Sequence, residues 1–222
     1  KIAHLILQCG YNARNIAAIT FTNKAAREMA ERAAHLLPDG SGKGLTVTTF
    51  HSLGLQMVRQ DAALLGYKPQ FSILDSADSA KIISDMLKTT DKSEIRRVQS
   101  VISTLKNALI DPQTALAQAQ NDAELALAKC YRIYQDTLFA YQALDFDDLI
   151  RLPVQLLGDH PSVKEKWQHK LRYLLVDEYQ DTNACQYTLM KHITGVRGMF
   201  TAVGDDDQSI YAWRGADIEN LK

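Results

Sequence analysis

The apolar run in LRYLLVDE (171–178) ends in two adjacent carboxylates, Asp177 and Glu178. A continuous apolar strand of this kind suits a parallel sheet buried on both faces. Its end then lies at the carboxyl edge, where doubly wound sheets bind their ligands. In a nucleotide hydrolase the first acid of such a pair would hold Mg²⁺, usually through water. The second would orient or deprotonate the attacking water. The plain alternative is a strand end carrying two solvated acids. A second strand-like segment, MFTAVGD (199–205), runs into Gln208 and then Tyr211-Ala212-Trp213-Arg214. Aromatics beside an arginine on a loop suit stacking on unpaired bases and contact with phosphates. A Trp anchoring the loop to the core would look the same.

Lys43, in PDGSGKGLT (38–46), invites comparison with a phosphate-binding lysine. That loop requires Gly-x-x-x-x-Gly-Lys-Ser/Thr between a strand and a helix. Here Leu37 stands where the first Gly belongs, Gly44 replaces the hydroxyl residue, and the run precedes a strand. It is a Gly-rich turn with Lys43 in solvent.

Other chemistries find little support. Cys9, Cys130 and Cys185 are scattered singly, which argues against a disulfide framework or a zinc cluster and fits a reducing cytoplasm. The six histidines lack metal-ligand spacing. No apolar run approaches the roughly 18–20 residues of a membrane span. A net charge of −1 does not advertise nucleic-acid binding, although residues 1–52 are basic and the rest mildly acidic.

The elements that must position these groups follow from periodicity. NIAAITF (15–21) and LTVTTF (45–50) read as strands flanking an amphipathic helix capped at Thr22-Asn23, a βαβ unit that predicts a parallel sheet. From His51 to about Trp167 the pattern is helical with no strand, and Asp75-Ser76, Asp111-Pro112 and Asp145 serve as helix starts. The α/β character returns at residue 171, with a helix expected over about 183–194. The chain therefore divides into residues 1–52, a helical insertion over 53–164, and residues 165–222.

Five segments, ITFTNKAAREM (19–29), TTFHSLG (48–54), LDFDDLI (144–150), LLVDEYQDTNACQ (174–186) and VGDDDQSIYAWRGA (203–216), resemble motifs Ia, Ic, Id, II and III of the UvrD/Rep branch of superfamily 1 DNA helicases, in that order. The resemblance implies a RecA-like, P-loop NTPase sheet with helices on both faces, interrupted by an all-helical subdomain. It implies ATP and Mg²⁺ as cofactors, with single-stranded DNA and forked or 3′-tailed duplexes as partners, alongside replication-fork proteins. Asp177 would be the Mg²⁺ acid and Glu178 the catalytic base, with Gln180 and Asp181 linking them to the neighbouring motifs. Gln208 would sense the γ-phosphate, Tyr211 and Trp213 would stack on bases, and Arg214 would couple the two. Thr20, Phe21, Thr22 and Asn23, then Thr49, Phe50 and His51, would line the DNA path, with Lys24 a further phosphate contact. For His51, packing is an equal alternative. Asp145, Asp147 and Asp148 would be structural or coupling residues.

In the family the phosphate loop falls before the position of Lys1, and the second motor domain follows motif III. The chain is thus expected to be an internal fragment of a 3′→5′ translocase acting in replication restart or repair. Taken alone it would be a non-catalytic DNA- or partner-binding module. A helicase–nuclease motor subunit is the alternative parent.

Overall fold

The computed structural model describes residues 1–196 and 199–204. Four strands, β1 (Ile16–Thr20), β2 (Thr46–Thr49), β5 (Tyr173–Val176) and β6 (Met199–Ala202), form one parallel sheet in the order β2-β1-β5-β6. Ile19 of β1 pairs with Thr48 on one side and Val176 on the other. All five β1 residues are buried, as an interior strand requires.

The period-two alternation sorts the side chains between two layers. Ile16 and Tyr173 pack with Leu5 of α1 (Ile2–Leu7) on one face. Ala17, Ile19, Leu174 and Val176 pack on the other face, which is covered by α3 (Phe50–Asp61), α8 (Asp148–Asp159), α9 (Pro161–Lys170) and α10 (Ala184–Thr194). Between β1 and β2 runs α2 (Asn23–Leu36), capped by the Thr22 hydroxyl, which accepts the Ala25 N–H. Phe50, expected to close a strand, instead opens α3, because Thr49 takes the cap position and receives the Ser52 N–H.

A second core belongs to the middle of the chain. Helices α4 (Ser76–Leu87), α5 (Lys92–Asn107), α6 (Pro112–Gln118) and α7 (Asp122–Ala140) bury Ile83, Val98, Ile102, Tyr131 and Leu138 among themselves. The Asp75 and Asp111 caps fall where expected. Contrary to expectation the stretch is not wholly helical. β3 (Ser72–Ile73) and β4 (Ala143–Leu144) pair in parallel, and two-residue strands carry no readable alternation. Asp145 does not begin a helix either: α8 starts at Asp148, with Asp147 at its N-cap. Leu53, Met57, Ile150, Val154 and Val163 pack with the sheet rather than with the second core.

Candidate functional site

Strand β5 delivers Asp177 and Glu178 to the carboxyl edge of the sheet. The Asp177 N–H donates to the Ile19 carbonyl at 3.0 Å, extending the ladder one residue past the strand. Glu178 then turns to φ +53°, a left-handed conformation costing a non-glycine residue on the order of 1–2 kcal/mol. Two contacts, besides the Asp181 N–H on its carbonyl, hold it there. Its N–H donates to Asp177 Oδ1 at 3.0 Å, and the Gln180 amide donates to Glu178 Oε2 at 2.6 Å. Gln180 is itself buried. Gly204 lies so close above this turn that a Cβ would meet Gln180 Oε1 at 2.5 Å and the Tyr179 nitrogen at 3.1 Å. The Tyr179 N–H donates to the Val203 carbonyl, which ties the acidic turn to β6.

Beyond the turn, Thr182 Oγ1 donates to the Tyr179 carbonyl, and Asn183 opens α10 with a reciprocal capping box to Gln186. Asp181 has one buried carboxylate oxygen without a hydrogen-bond partner among the described residues. Burial and then the charge of Glu178 push its pKa up. The product is a glutamate held in one orientation at a sheet edge, a suitable geometry for a general base.

Beside this turn a cleft of about 660 Å³ separates the sheet edge from α5. It brings together residues from four of the five segments: Phe21 and Thr22, Phe50 and His51, Asp145 to Asp147, and Asp181. Phe21 is half-buried against Phe50 (ring centroids 5.3 Å apart), and Thr22, Asn23 and Lys24 are exposed at the start of α2. Lys24 lies 4.0 Å from Glu28 on the same surface, a pairing of little energetic weight. Thr20, Thr49 and Phe50 are buried. Phe50 still reaches the wall of the cleft, where its ring backs Phe21. The His51 ring meets Phe146 edge-on at 6.1 Å, and burial lowers its pKa. Lys43 is exposed in the turn before β2, far in character from a phosphate cradle. Gln208, Tyr211, Trp213 and Arg214 lie outside the described residues.

The acidic trio of LDFDDLI does more than cap. Lys106 of α5, fully buried, places its ammonium 2.7 Å from Asp145 and 3.1 Å from Asp148. Arg151 adds a second cation 2.9 Å from Asp148. Tyr134 donates to Asp145 at 2.9 Å, and Asp145 Oδ1 accepts the Asp148 N–H. Burial opposes ionisation of Asp148, but the Lys106 and Arg151 charges overcome it and hold its pKa down to about 2. Among the described residues Asp147 has no such cation in contact; burial, then the Asp145 charge, push it up to about 6. Sequence reasoning missed Lys106, Asn107, Arg151 and Phe146. For Lys106 the available signal was a cation interrupting the buried stripe Ile95, Val98, Ile102.

A parallel α/β fold with an oriented acidic pair at its carboxyl edge, beside a cleft walled by helices, is the class these features define. The chain belongs to the UvrD/REP helicase family, since the model of the UvrD/REP helicase N-terminal domain matches residues 1–222. It is 50% identical over its whole length to the ATP-dependent DNA helicase Rep of Salmonella typhimurium and to that of Escherichia coli. Identity to the ATP-dependent DNA helicase PcrA of Staphylococcus aureus is 43%, again over the whole chain. The chain spans about a third of the length of these relatives (33%, 33% and 31%).

Proposed function

We propose that this chain forms the first motor domain, with its helical insertion, of an ATP-dependent 3′→5′ DNA helicase acting on single-stranded DNA. The observation that carries the reading is Glu178, held by Gln180 at the end of β5 beside a cleft lined by the family's DNA-path segments. Residues 1–52 and 165–222 make up the motor fold and 53–164 the insertion, with α3, α8 and α9 as the seam between them. Within the site, Glu178 orients the attacking water and accepts its proton, Gln180 fixes the carboxylate, and Asp177 faces the nucleotide.

The donor set fits Mg²⁺. Asp177 and Glu178 are hard oxygen donors at a partly exposed edge, and no cluster of three or more potential metal ligands occurs among the described residues. Mg²⁺ commonly takes one or two carboxylates and completes its shell with water and phosphate oxygens. When bound it would neutralise charge on the β- and γ-phosphates. Gln208 is assigned to γ-phosphate sensing, and Tyr211, Trp213 and Arg214 to the DNA groove. Forked or 3′-tailed duplexes and replication-fork proteins in the cytoplasm are the partners of this reading. No helix among the described residues is long and apolar enough to cross a membrane.

The test uses the natural full-length protein that carries this chain, assayed for ATP hydrolysis with and without single-stranded DNA. DNA should stimulate turnover, and Glu178→Gln should lower it by about 10²–10⁴-fold while nucleotide still binds. Turnover indifferent to DNA, or to Glu178→Gln, would overturn the reading. A second reading concerns the 222 residues by themselves, which contain no Gly-x-x-x-x-Gly-Lys-Ser/Thr string. As an isolated polypeptide the chain would bind DNA or a partner without hydrolysing ATP, and vigorous turnover by it would refute that.

A further inference from the structure

Two neighbouring residues at the end of α5 reach in different directions. Lys106 goes to the buried carboxylates of Asp145 and Asp148. Asn107 remains at the wall of the cleft and makes three contacts. Its amide nitrogen donates to Asp147 Oδ1 at 3.1 Å and lies 3.3 Å from Ser103 Oγ, and its carbonyl oxygen accepts from the Asn183 amide at 3.2 Å. Asn183 stands at the start of α10, directly after the turn that carries Asp177 and Glu178.

From Asn183 the path back to Glu178 is short and tightly bonded. The Asp181 N–H donates to the Glu178 carbonyl at 3.0 Å and the Thr182 N–H to the Tyr179 carbonyl at 3.1 Å. The Gln180 amide holds the Glu178 carboxylate. Asn107, Asp147, Asp181 and Asn183 all line the same cleft. An occupant that moves α5 would pull on Asn183, and the hydrogen-bonded turn would carry that movement to the glutamate.

We propose that Asn107 is a positioning residue that couples occupancy of the cleft to the orientation of Glu178. The inference rests on the helicase reading above. It separates cleanly from a role in folding. The Asn183 cap uses its own Oδ1 and the Gln186 side chain, so α10 keeps its N-terminus when Asn107 is removed. The Lys106 ion pairs do not involve Asn107 either.

The test uses the full-length protein and compares ATP turnover with and without single-stranded DNA. Asn107→Ala should lower DNA-stimulated kcat by about 3- to 30-fold, reducing the ratio of stimulated to unstimulated rate. KM for ATP should stay within about twofold, because binding of the ground state is not what is lost. Combining Asn107→Asp with Asp147→Asn exchanges donor and acceptor across that contact and keeps an acceptor for Asn183, so it should restore the ratio. Asn107→Asp alone sets two carboxylates together and should not. If Asn107→Ala leaves the ratio unchanged, or the exchange variant fails to recover it while melting like the wild type, Asn107 is not a positioning residue. A wild-type protein without DNA-stimulated turnover would overturn the helicase reading, and this inference with it.

Discussion

At the scale of single residues, the acidic turn 145–148 shows how position decides the behaviour of one side-chain type. Asp148 has no exposed surface, yet Lys106 at 3.1 Å and Arg151 at 2.9 Å keep it ionised. A carboxylate whose pKa is depressed on folding adds stability above its unfolded value of about 3.9, and that stability is lost as pH falls through its folded value, here about 2. Asp147 has the opposite sign. Its pKa is raised to about 6 by burial and by Asp145, so its contribution is full below about 3.9 and disappears as pH rises through about 6. Asp147→Asn removes that charge and keeps an oxygen to accept from Asn107. Nor is a cap lost, because the Asp147 side chain makes no cap bond to α8. The variant should therefore melt higher than the wild type at pH 8, with the difference shrinking at pH 4.5. Equal differences at the two pH values would show that Asp147 is not the titrating group.

At the scale of elements, the packing of α3 against α8 beneath the sheet depends on Gly54 and Pro153. Pro153 lies inside α8 and has no N–H, so the Leu149 carbonyl four residues earlier loses its intrahelical donor. Gly54 of α3 packs directly against that carbonyl: a Cβ there would collide with Leu149 O and come within 3.2 Å of the Pro153 ring. Both helices carry sheet-facing core residues, Leu53 and Met57 on one, Ile150 and Val154 on the other, so neither can retreat freely. Gly→Ala inside a helix would ordinarily gain roughly 0.5–1 kcal/mol. Here Gly54→Ala should instead cost about 1–3 kcal/mol through overpacking, read as a lower midpoint in urea with an unchanged slope. A stabilised variant would show that α3 and α8 adjust without penalty. Several helices were legible in sequence because a capping residue announces their start, as Thr22, Asp75 and Asp111 do. The α3–α8 seam was not, since Gly54 and Pro153 read separately as a weak helix residue and a helix breaker. Strand order was legible only as far as "parallel": alternation sorts faces, but nothing local sets β5 between β1 and β6.

At the scale of the molecule, two cores, one under the sheet and one among α4 to α7, meet along a cleft whose walls come from segments far apart in sequence. The acidic pair was legible because one continuous apolar strand ends there. The Asn107–Asn183 link was not, because 76 residues separate its members and each alone reads as an ordinary polar helix terminus. Phe146 shows what the arrangement exposes. It lies between two buried anchors, Asp145 and Asp148, and the residue is 52% exposed at the cleft beside His51. Holding a large apolar ring in water costs free energy that an occupant of the cleft would recover. A base stacked on it would recover it. Because Phe146 is uncharged, and burial lowers the pKa of its neighbour His51 and so favours the neutral ring, this contact releases no counterions. Phe146→Ala should thus weaken single-stranded DNA binding by about 1–3 kcal/mol without changing the slope of affinity against salt, which is set by phosphate contacts. Fluorescence anisotropy with a labelled oligonucleotide at several salt concentrations, alongside a melting curve, reads both quantities. An unaltered affinity in a variant that melts normally would remove Phe146 from the DNA path. A changed salt slope would mean that the ring positions a phosphate-binding cation rather than stacking on a base.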